Sequence, residues 1–542
     1  MLPAMRTIDH LIDEFLRELW EDEPVLAGSL GVDGYDDRLG EHSAAAYDRR
    51  DAREDRWLAR FSDAADDGLA LDERIDRDLI LSELRGSIVM REWAAWRRNP
   101  AVYLNPGLSG VFGLFLHRLR PQDELAHSAA ARLKQIPAVL EDGRRNLDPG
   151  LTPALFVERA LAQCRAAVTY CRDLVPGEVT DPASRALLAE TGGAAAEAYE
   201  AFGAHLQELL ERARGDYAIG EERYSGILEQ QEMLGYGARE MHERGREAFE
   251  QIEADMIRRA RDLRGTDDWR AVVEELNDDR PRTPEEMLEA YTTWTERARA
   301  FCRDRGLVTL PKGEQCVVEP SPTFQRAALA VASYQQPPAF KPSLTGHFFV
   351  PYPPEGASED EVAQRLASNS FNSIPTVSVH EAYPGHHWHL VAAQANPRII
   401  RQVLGSSYFT EGWALYVEAM MREEGLYDDP RHELCVSEAR LFRAARIIVD
   451  TALHLGIMTV EDAVVFIRDG MRMPEAPARA EVGRYCTWPT QASSYLTGAL
   501  EIERMRDRWF AEQRGDLRTF HDRLAGSGML PIGLAERALF AD

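Results

Sequence analysis

The segment HEAYPGHHWH, which begins at His380, concentrates side chains that can bind a metal ion. Zinc hydrolases often place two histidines four residues apart on one helix face, with a glutamate as the general base. Here the fourth position is Pro384, and His386 follows six residues after His380, about 120° away around a straight helix. A two-residue bulge at Pro384 and Gly385 would return His386 to the same face. The pattern predicts His380 and His386 as zinc ligands and Glu381 as the general base.

The histidine cluster leaves two other interpretations open. His387 lies seven residues after His380 and returns to the same helix face, but about 10 Å further along the axis. Alternatively, the histidines are ordinary surface residues of a helix. Four of the 14 histidines fall within these ten positions, next to a glutamate, and this favours the metal site.

Catalytic zinc usually takes a third protein ligand and leaves one position for water. The segment YFTEGWALYVE places Glu411 at a helix start, 25 residues after His386, so that a second helix can return beside the first. Glu411 is therefore the predicted third ligand. Glu418 lies two turns further on the same face, where it could orient a histidine. Both glutamates could instead be ordinary acids on a helix surface.

These two segments resemble a large bacterial family named for a domain of unknown function, DUF885. Its hallmark is similar to HExxPGHxxQ followed by EGWALY, and the resemblance covers most of the chain, most strongly over 346–500. The family resembles the gluzincin metallopeptidases, whose zinc is held by two histidines and one glutamate. The resemblance implies zinc ligands at His380, His386 and Glu411, with the glutamate after His380 as the base. This chain has His389 where the family has glutamine, so His389 stays open as an additional or replacing ligand.

Four residues of a later helix repeat at spacings of three and four, and therefore share one helix face: Arg443, Arg446, Asp450 and His454. One interpretation is a ladder of ion pairs along the helix. The other is that His454 and an arginine face the cleft and bind the substrate or its carboxylate. On this second interpretation His454 is a predicted catalytic residue.

A tyrosine is expected to stabilise the oxyanion that develops during amide hydrolysis. Residues 484–495 are similar to the PGQALSY-type region of the family, and Tyr495 is the first choice, with Tyr485 second; either could instead be a core aromatic. The predicted strand Gly346–Val350 could pair with an extended substrate, or could be a plain structural strand. His347 within this strand is not expected to bind metal.

Helical periodicity dominates the chain and predicts the elements that position these residues. Helix starts are indicated at Asp181–Pro182, at Thr283–Glu286 and at Thr459–Asp462, where capping residues precede prolines or acids. A stretch rich in proline and aromatic residues interrupts the helical pattern. It contains two predicted short strands, at 315–319 and 346–350.

The predicted fold is mainly α: a two-lobed, large helical metallopeptidase-like fold around a cleft, with a small β element near 315–350. A chain of 542 residues is long enough to divide in this way. The predicted domains are a helical N-terminal lobe, 1–220, and a metal-binding catalytic lobe, 221–542. The two lobes could also pack as one continuous domain.

Composition narrows the class of protein. The 63 Lys and Arg against 90 Asp and Glu give a net charge of −27, which argues against partners such as nucleic acids or anionic membranes. The six cysteines form no CxxC pair and no disulfide framework. No apolar run suits a signal peptide, and none approaches the about 18 residues of a membrane span. We therefore expect a reduced, soluble, cytoplasmic protein.

Together these features predict a zinc-dependent hydrolase that cleaves an amide bond, most readily in short peptides, with zinc as its cofactor. The chain lacks GxSxG, P-loop and Rossmann motifs, which would indicate other chemistry. One alternative keeps the metal but changes the substrate to a non-peptide amide or a specialised metabolite. The other alternative is a catalytically inactive helical binding or scaffold protein.

Overall fold

The structure is a computed structural model, and it describes residues 7–65, 68–322, 326, 331–354 and 356–541. Within these ranges the chain is mainly α-helical with one small sheet, which confirms the prediction of a mainly α fold with a small β element. None of the described helices is long and apolar enough to cross a membrane.

The chain divides into two compact units, the first of which comprises Met1–Ala218 and Pro338–Pro342. In chain order, the α-helices of this unit are α1 (Ile8–Asp22), α2 (Pro24–Leu30), α3 (Ala44–Ser62), α4 (Leu71–Arg91), α5 (Ala95–Arg98), α6 (Ala101–His117), α7 (Gln122–Asn146), α8 (Ala154–Thr169) and α9 (Pro182–Arg212). A π-helical turn at Tyr170–Leu174 and a 3-10 turn at Val175–Glu178 follow α8.

The second unit comprises Ile219–Pro337 and Ser343–Asp542, and it contains every predicted site residue. Its α-helices are α10 (Glu221–Gly226), α11 (Ala238–Arg264), α12 (Trp269–Asn277), α13 (Pro284–Arg305), α14 (Glu359–Ala367), α15 (Ile374–Glu381), α16 (His386–Gln394), α17 (Ile400–Val403), α18 (Ser407–Glu423), α19 (Pro430–His454), α20 (Val460–Gly470), α21 (Glu475–Thr487), α22 (Ser494–Ala511), α23 (Leu517–Gly526) and α24 (Ile532–Phe540). A π-helical turn at Ile227–Gln231 follows α10. The predicted domain boundary near residue 220 and the predicted cleft between two lobes stay predictions.

Three helix starts lie where the sequence indicates them. Asp181 caps α9, and Thr459 forms a capping box with Asp462 at the start of α20. The hydroxyl of Thr283 accepts a hydrogen bond from the backbone N–H of Glu286 at 3.1 Å, at the start of α13. These contacts satisfy backbone N–H groups of the first helical turn, which have no partner within the helix. Because they are local, the sequence alone could locate them.

The sheet consists of β1 (Gln315–Pro320), β2 (Ser333–Gln335) and β3 (Thr345–Val350), in the spatial order β1-β3-β2. β1 runs parallel to β3, with Cys316 opposite Gly346, and β2 runs antiparallel to β3, with Tyr334 opposite Phe348. The two predicted strands are confirmed, whereas β2 was not predicted. β3 is paired on both sides, so the prediction that Gly346–Val350 pairs with a substrate is wrong.

Close packing between α18 and α22 fixes the helix that carries Glu411. A Cβ atom at Gly412 would lie 2.5 Å from Cα of Gly498, and one at Gly498 would lie 1.8 Å from the carbonyl oxygen of Tyr408. Neither position can take a larger residue unless the two helices separate. The glycine of the TEGWALY segment is therefore needed to hold α18 in place.

Candidate metal centre

The two candidate histidines lie on different helices. α15 ends at Glu381 and α16 begins at His386, and a cis peptide bond joins Tyr383 to Pro384 between them. The prediction of one bulged helix is therefore wrong. Proline has no N–H to continue the hydrogen bonds of a helix, and here the chain turns and starts a new helix instead.

Gly385 allows the chain to turn tightly at this point. A Cβ atom at Gly385 would lie 2.0 Å from the carbonyl oxygen of His380, so a residue with a side chain does not fit. The turn is also held from outside, because Trp413 Nε1 donates to the carbonyl oxygen of Pro384 at 2.8 Å. The tight turn brings His386 back beside His380, as the predicted bulge would also have done.

His380, His386 and Glu411 come together as a group that could hold a metal ion, with one ligand atom from each residue within 4.8 Å of the others. Glu411 Oε2 lies 3.6 Å from His380 Nε2 and 3.4 Å from His386 Nε2. The two imidazole rings are nearly perpendicular, with centroids 4.8 Å apart. The three side chains come from three different helices, so the folded structure of this unit is required to assemble them.

The donor types of this group fit zinc, as do the two distances from Glu411 to the histidine nitrogens. N–H···O hydrogen bonds are usually about 2.9–3.0 Å long, which is shorter than both nitrogen–oxygen distances here. Two ligand atoms bound tetrahedrally at about 2.0–2.1 Å from zinc are about 3.3–3.4 Å apart, close to the distances from Glu411. Two imidazoles and one carboxylate are also a donor set of catalytic zinc, and they leave the fourth position for water.

Glu418 fixes the orientation of His380. Its Oε1 lies 2.7 Å from His380 Nδ1, and its Oε2 accepts from the hydroxyl of Thr376 at 2.6 Å. An ionised carboxylate can only accept, so Nδ1 carries the proton and Nε2 is the atom that faces Glu411. His386 lacks a matching support, since its buried Nδ1 has no hydrogen-bond partner within the described residues.

The charges of the group depend on one another. Burial lowers the pKa of His380, but the nearby carboxylates of Glu411 and Glu418 outweigh burial and raise this pKa to about 10. Burial raises the pKa of Glu411, but His380 and His386 hold it well below its ordinary range. In the metal-free protein at neutral pH, His380 therefore carries a second proton, on Nε2, and Glu411 is ionised. A metal ion must displace that proton when it binds.

The group faces a cavity of about 420 Å³ that Glu381, the predicted base, also lines. Burial raises the pKa of Glu381, while the neighbouring imidazoles of His380 and His386 oppose the rise. A carboxylate with a raised pKa takes up a proton more readily, which suits a general base. The predicted base and the three predicted ligands thus share one cavity.

Tyr495 and two arginines of α19 line the same cavity. The guanidinium carbons of Arg446 and Arg443 lie 4.9 and 5.8 Å from the centre of the Tyr495 ring. The side-chain amide of Gln491 donates to the Tyr495 hydroxyl at 3.3 Å. Burial raises the pKa of Tyr495, and the charge of Glu411 adds to the rise. The phenol therefore keeps its proton and can act as a hydrogen-bond donor in the cavity.

His454 and Tyr485 lie outside the described lining of this cavity. His454 is buried, its Nδ1 accepts from the backbone N–H of Ile219 at 3.4 Å, and its Nε2 lies 3.1 Å from the carbonyl oxygen of Tyr485. The Tyr485 hydroxyl donates to Glu481 at 2.7 Å. The prediction that His454 faces the cleft as a catalytic residue is wrong, because spacing along a helix defines a face but not what packs against it.

His387 belongs to a separate buried network. Its Nε2 lies 2.8 Å from Glu314 Oε2, and its Nδ1 lies 3.0 Å from the hydroxyl of Tyr334. Glu314 also accepts hydrogen bonds from Tyr383 and Arg299. Burial raises the pKa of Glu314, but the hydrogen bonds from His387, Tyr383 and Arg299 outweigh it and lower this pKa to about 2. Both ring nitrogens of His387 thus contact Glu314 and Tyr334, and neither is directed at the group of His380, His386 and Glu411.

Sequence reasoning missed this network, although one residue signals it. A Cβ atom at Gly346 in β3 would lie 1.9 Å from the hydroxyl oxygen of Tyr334, so glycine is needed for that side chain to pass. An isolated glycine inside a strand often marks such a close approach.

His389 packs among aromatic side chains. Its ring centroid lies 5.2 Å from that of Phe409 and 5.7 Å from that of Trp413. It is buried, and neither ring nitrogen has a hydrogen-bond partner in the described part of the chain. Burial lowers the pKa of His389 to about 3, so the ring is neutral. It is not part of the converging ligand group.

The chain is similar to two solved structures over nearly its whole length. One is described as a "putative lipoprotein of unknown function from Shewanella oneidensis"; it is 21% identical, with a TM-score of 0.82, and the match covers 99% of this chain and 100% of that one. The other is a "putative lipoprotein from Colwellia psychrerythraea", 19% identical, with a TM-score of 0.81 and 99% of each chain covered. At these identities the likeness shows a shared fold. No curated protein matches the chain.

The expected cytoplasmic location has to be corrected. Both similar solved proteins are described as putative lipoproteins, which disagrees with a cytoplasmic assignment. Net charge and cysteine usage describe solubility and redox chemistry, and neither property specifies where a protein is delivered.

A family model described as a bacterial protein of unknown function, DUF885, matches residues 24–539. The match spans nearly the whole chain and confirms the resemblance that the HEAYPGHHWH and TEGWALYVE segments indicate. The chain therefore belongs to the DUF885 family of bacterial proteins.

Proposed function

We propose that this protein is a zinc-dependent hydrolase that cleaves an amide bond in short peptides. The observation that carries the proposal is the convergence of His380, His386 and Glu411 in the cavity that Glu381 also lines. Two imidazoles, one carboxylate and a neighbouring glutamate are the ligands and the base that zinc hydrolases use.

Glu381 is the residue that moves the proton. When bound, zinc would lower the pKa of water and polarise the substrate carbonyl. Glu381 accepts a proton from the attacking water as the water oxygen bonds to the carbonyl carbon. The carbon–nitrogen bond then breaks, and Glu381 gives the proton to the leaving nitrogen. The products are a carboxylate and an amine, and Glu381 returns to its starting state.

Two further residues support this chemistry. Glu418 holds His380 with Nε2 directed at Glu411, which would keep the ligand in one tautomer. Tyr495 retains its phenolic proton and lines the cavity, so we assign it to hydrogen bonding with the oxyanion that develops on the carbonyl oxygen.

The size of the cavity supports a small substrate. Its volume of about 420 Å³ falls within the range of about 300–1,000 Å³ that is typical of small-molecule pockets. A short peptide fits such a space, whereas a folded protein would have to present an extended segment.

The test compares zinc-loaded wild-type protein with the variant Glu381→Gln on a mixture of random tetrapeptides in ¹⁸O-labelled water. We expect the wild type to place labelled oxygen in each new carboxylate, because water is the nucleophile. Glu381→Gln should retain zinc but cleave about 10²–10⁴-fold more slowly, since the general base is lost.

A matched control is Glu424→Gln, which removes a carboxylate just beyond the C-terminal end of α18. This variant should cleave like the wild type. Cleavage by Glu381→Gln at the wild-type rate, or no cleavage by zinc-loaded wild type, would contradict the proposed function.

A further inference from the structure

Arg443 lines the cavity, and its guanidinium forms no ion pair within the described part of the chain. Its Nη1 donates to the carbonyl oxygen of Ala439, one turn earlier on α19, at 3.2 Å. Its Nε is buried and has no hydrogen-bond partner among the described residues. Glu438, another nearby acid of α19, lines a different cavity. Most of the hydrogen-bonding capacity of this guanidinium is therefore unused.

The neighbouring arginines of α19 are already paired. Arg440 contacts Glu503 at 2.7 Å, and Arg446 contacts Glu481 at 3.1 Å. Each of the three arginines has one buried nitrogen without a hydrogen-bond partner among the described residues, but only Arg443 has no carboxylate beside it, which a partly buried guanidinium usually has. Arg443 differs from both neighbours, and it does so at the cavity that the candidate metal ligands also line.

Three acids line the cavity together with Arg443, namely Glu381, Glu411 and Glu418. Glu418 contacts His380 and Thr376, and Glu411 faces the two candidate histidine ligands. None of these three acids lies within ion-pair distance of Arg443 in the described structure, although the Arg443 charge acts on Glu381 and Glu418 and lowers their pKa values. A carboxylate brought in by a ligand would therefore find the Arg443 donors available.

We propose that Arg443 binds the C-terminal carboxylate of the substrate peptide, so that the hydrolase acts from the C-terminal end of the chain. This inference rests on the proposed function. The guanidinium offers a planar fork of N–H donors that matches a carboxylate in two parallel hydrogen bonds. Arg443, His380, His386 and Glu411 line the same cavity of about 420 Å³, a volume that suits a short C-terminal fragment.

The reaction itself is unchanged. Water adds its oxygen to the carbonyl carbon of a peptide bond near the C-terminus, and the carbon–nitrogen bond breaks. The leaving nitrogen takes the proton from Glu381, and the released fragment carries the carboxylate that Arg443 holds. An acidic side chain of the substrate would present the same chemistry to Arg443, so the experiment has to separate the two sources of carboxylate.

The test uses three libraries of N-acetylated random tetrapeptides. The first lacks Asp and Glu and ends in a free carboxylate, the second ends in a carboxamide, and the third ends in a carboxamide and contains one internal Glu. For zinc-loaded wild type we expect kcat/KM on the first library to exceed that on the second by about tenfold or more, as for a hydrogen-bonded charge. Arg443→Met should cleave the first two libraries at similar rates.

Arg440→Met is the matched control, since it removes an arginine of the same helix that is outside the described lining of the cavity. It should keep the wild-type preference for the free carboxylate. The proposal is overturned if wild type shows no preference, if Arg443→Met keeps the preference, or if the third library is cleaved as well as the first. In the last case an acidic side chain, and not the C-terminus, is recognised.

A binding measurement separates this proposal from the proposed function. Zinc-free wild-type protein is titrated by calorimetry with N-acetyl-alanyl-phenylalanine and with its carboxamide. The free acid should bind about tenfold more tightly, and Arg443→Met should abolish the difference. If no peptide is cleaved at all, the hydrolase proposal fails, and this titration alone decides whether Arg443 recognises a C-terminal carboxylate. Equal binding of the free acid and the carboxamide would overturn the proposal that Arg443 binds the C-terminal carboxylate.

Discussion

The contact between Glu418 and His380 gives a sharp test of the proposed metal site, and the variant Glu418→Gln perturbs this contact with little change in side-chain shape. The two atoms that face each other, Oε1 and Nδ1, are 2.7 Å apart, and the other oxygen accepts from Thr376. The Glu418 side chain is 2% exposed and that of His380 8%, so water cannot easily replace the lost charge. Glutamine offers one acceptor oxygen to two donors, so one donor is left facing an amide NH₂.

The expected effect is a weaker zinc site. Removing a group that orients a metal-bound histidine typically lowers metal affinity about 10–100-fold, which corresponds to about 1.4–2.8 kcal/mol. Because the contact is short and buried, we expect the loss to lie in this range and not below it.

Zinc affinity is measured by competition with a fluorescent zinc chelator at one fixed pH. Glu424→Gln serves as the control, and His386→Ala serves as a variant in which a proposed ligand is removed. If Glu418→Gln binds zinc as tightly as wild type while His386→Ala does not, then Glu418 does not orient a zinc ligand. If both variants bind zinc like wild type, the proposed ligand set itself is refuted.

Three further predictions concern the same region. Zinc at the proposed site would displace a proton from His380, whose pKa is raised to about 10. The apparent zinc affinity should therefore rise about tenfold per pH unit from neutral pH towards that value and level off above it. A flat profile measured with the same chelator would contradict this prediction. Gly385→Ala places a Cβ atom 2.0 Å from the carbonyl oxygen of His380, so the variant should move His386 and weaken zinc binding about tenfold or more. The same clash should lower the free energy of unfolding, measured in a denaturant titration, by about 1–3 kcal/mol. His389→Gln, which introduces the residue usual in the family, should leave zinc content unchanged, because His389 is outside the ligand group; loss of zinc would make His389 a ligand.

Local features of the fold could be predicted from the sequence, because their causes are local. The caps at Asp181, Thr283 and Thr459 satisfy backbone N–H groups within one helical turn, and the residue types at these positions indicate caps. β2 was missed because it has three residues, too few for an alternating pattern to show. The break between α15 and α16 was expected only as a bulge, because proline and glycine indicate a disturbance but not its geometry.

The candidate site was predictable where one segment carries the chemistry. The grouping of His380, His386 and Glu411 agrees with the expected spacing, although their role as ligands stays a proposal. Contacts between distant parts of the chain could not be read in this way. His387 turns to Glu314, 73 residues earlier, and His454 is enclosed by Ile219 and Tyr485. Burial of this kind depends on tertiary packing, which periodicity along one helix does not reveal.

The metal content of the purified protein is the most direct test of a zinc centre at His380, His386 and Glu411. Mass spectrometry of wild-type protein supplied with zinc should find about one zinc ion per chain, as for a single catalytic site, and His386→Ala should lose it. Zinc retained by His386→Ala would contradict the ligand set and shift the second ligand to His387 or His389. Absence of zinc from the wild type, even after zinc is supplied, would contradict a zinc centre altogether.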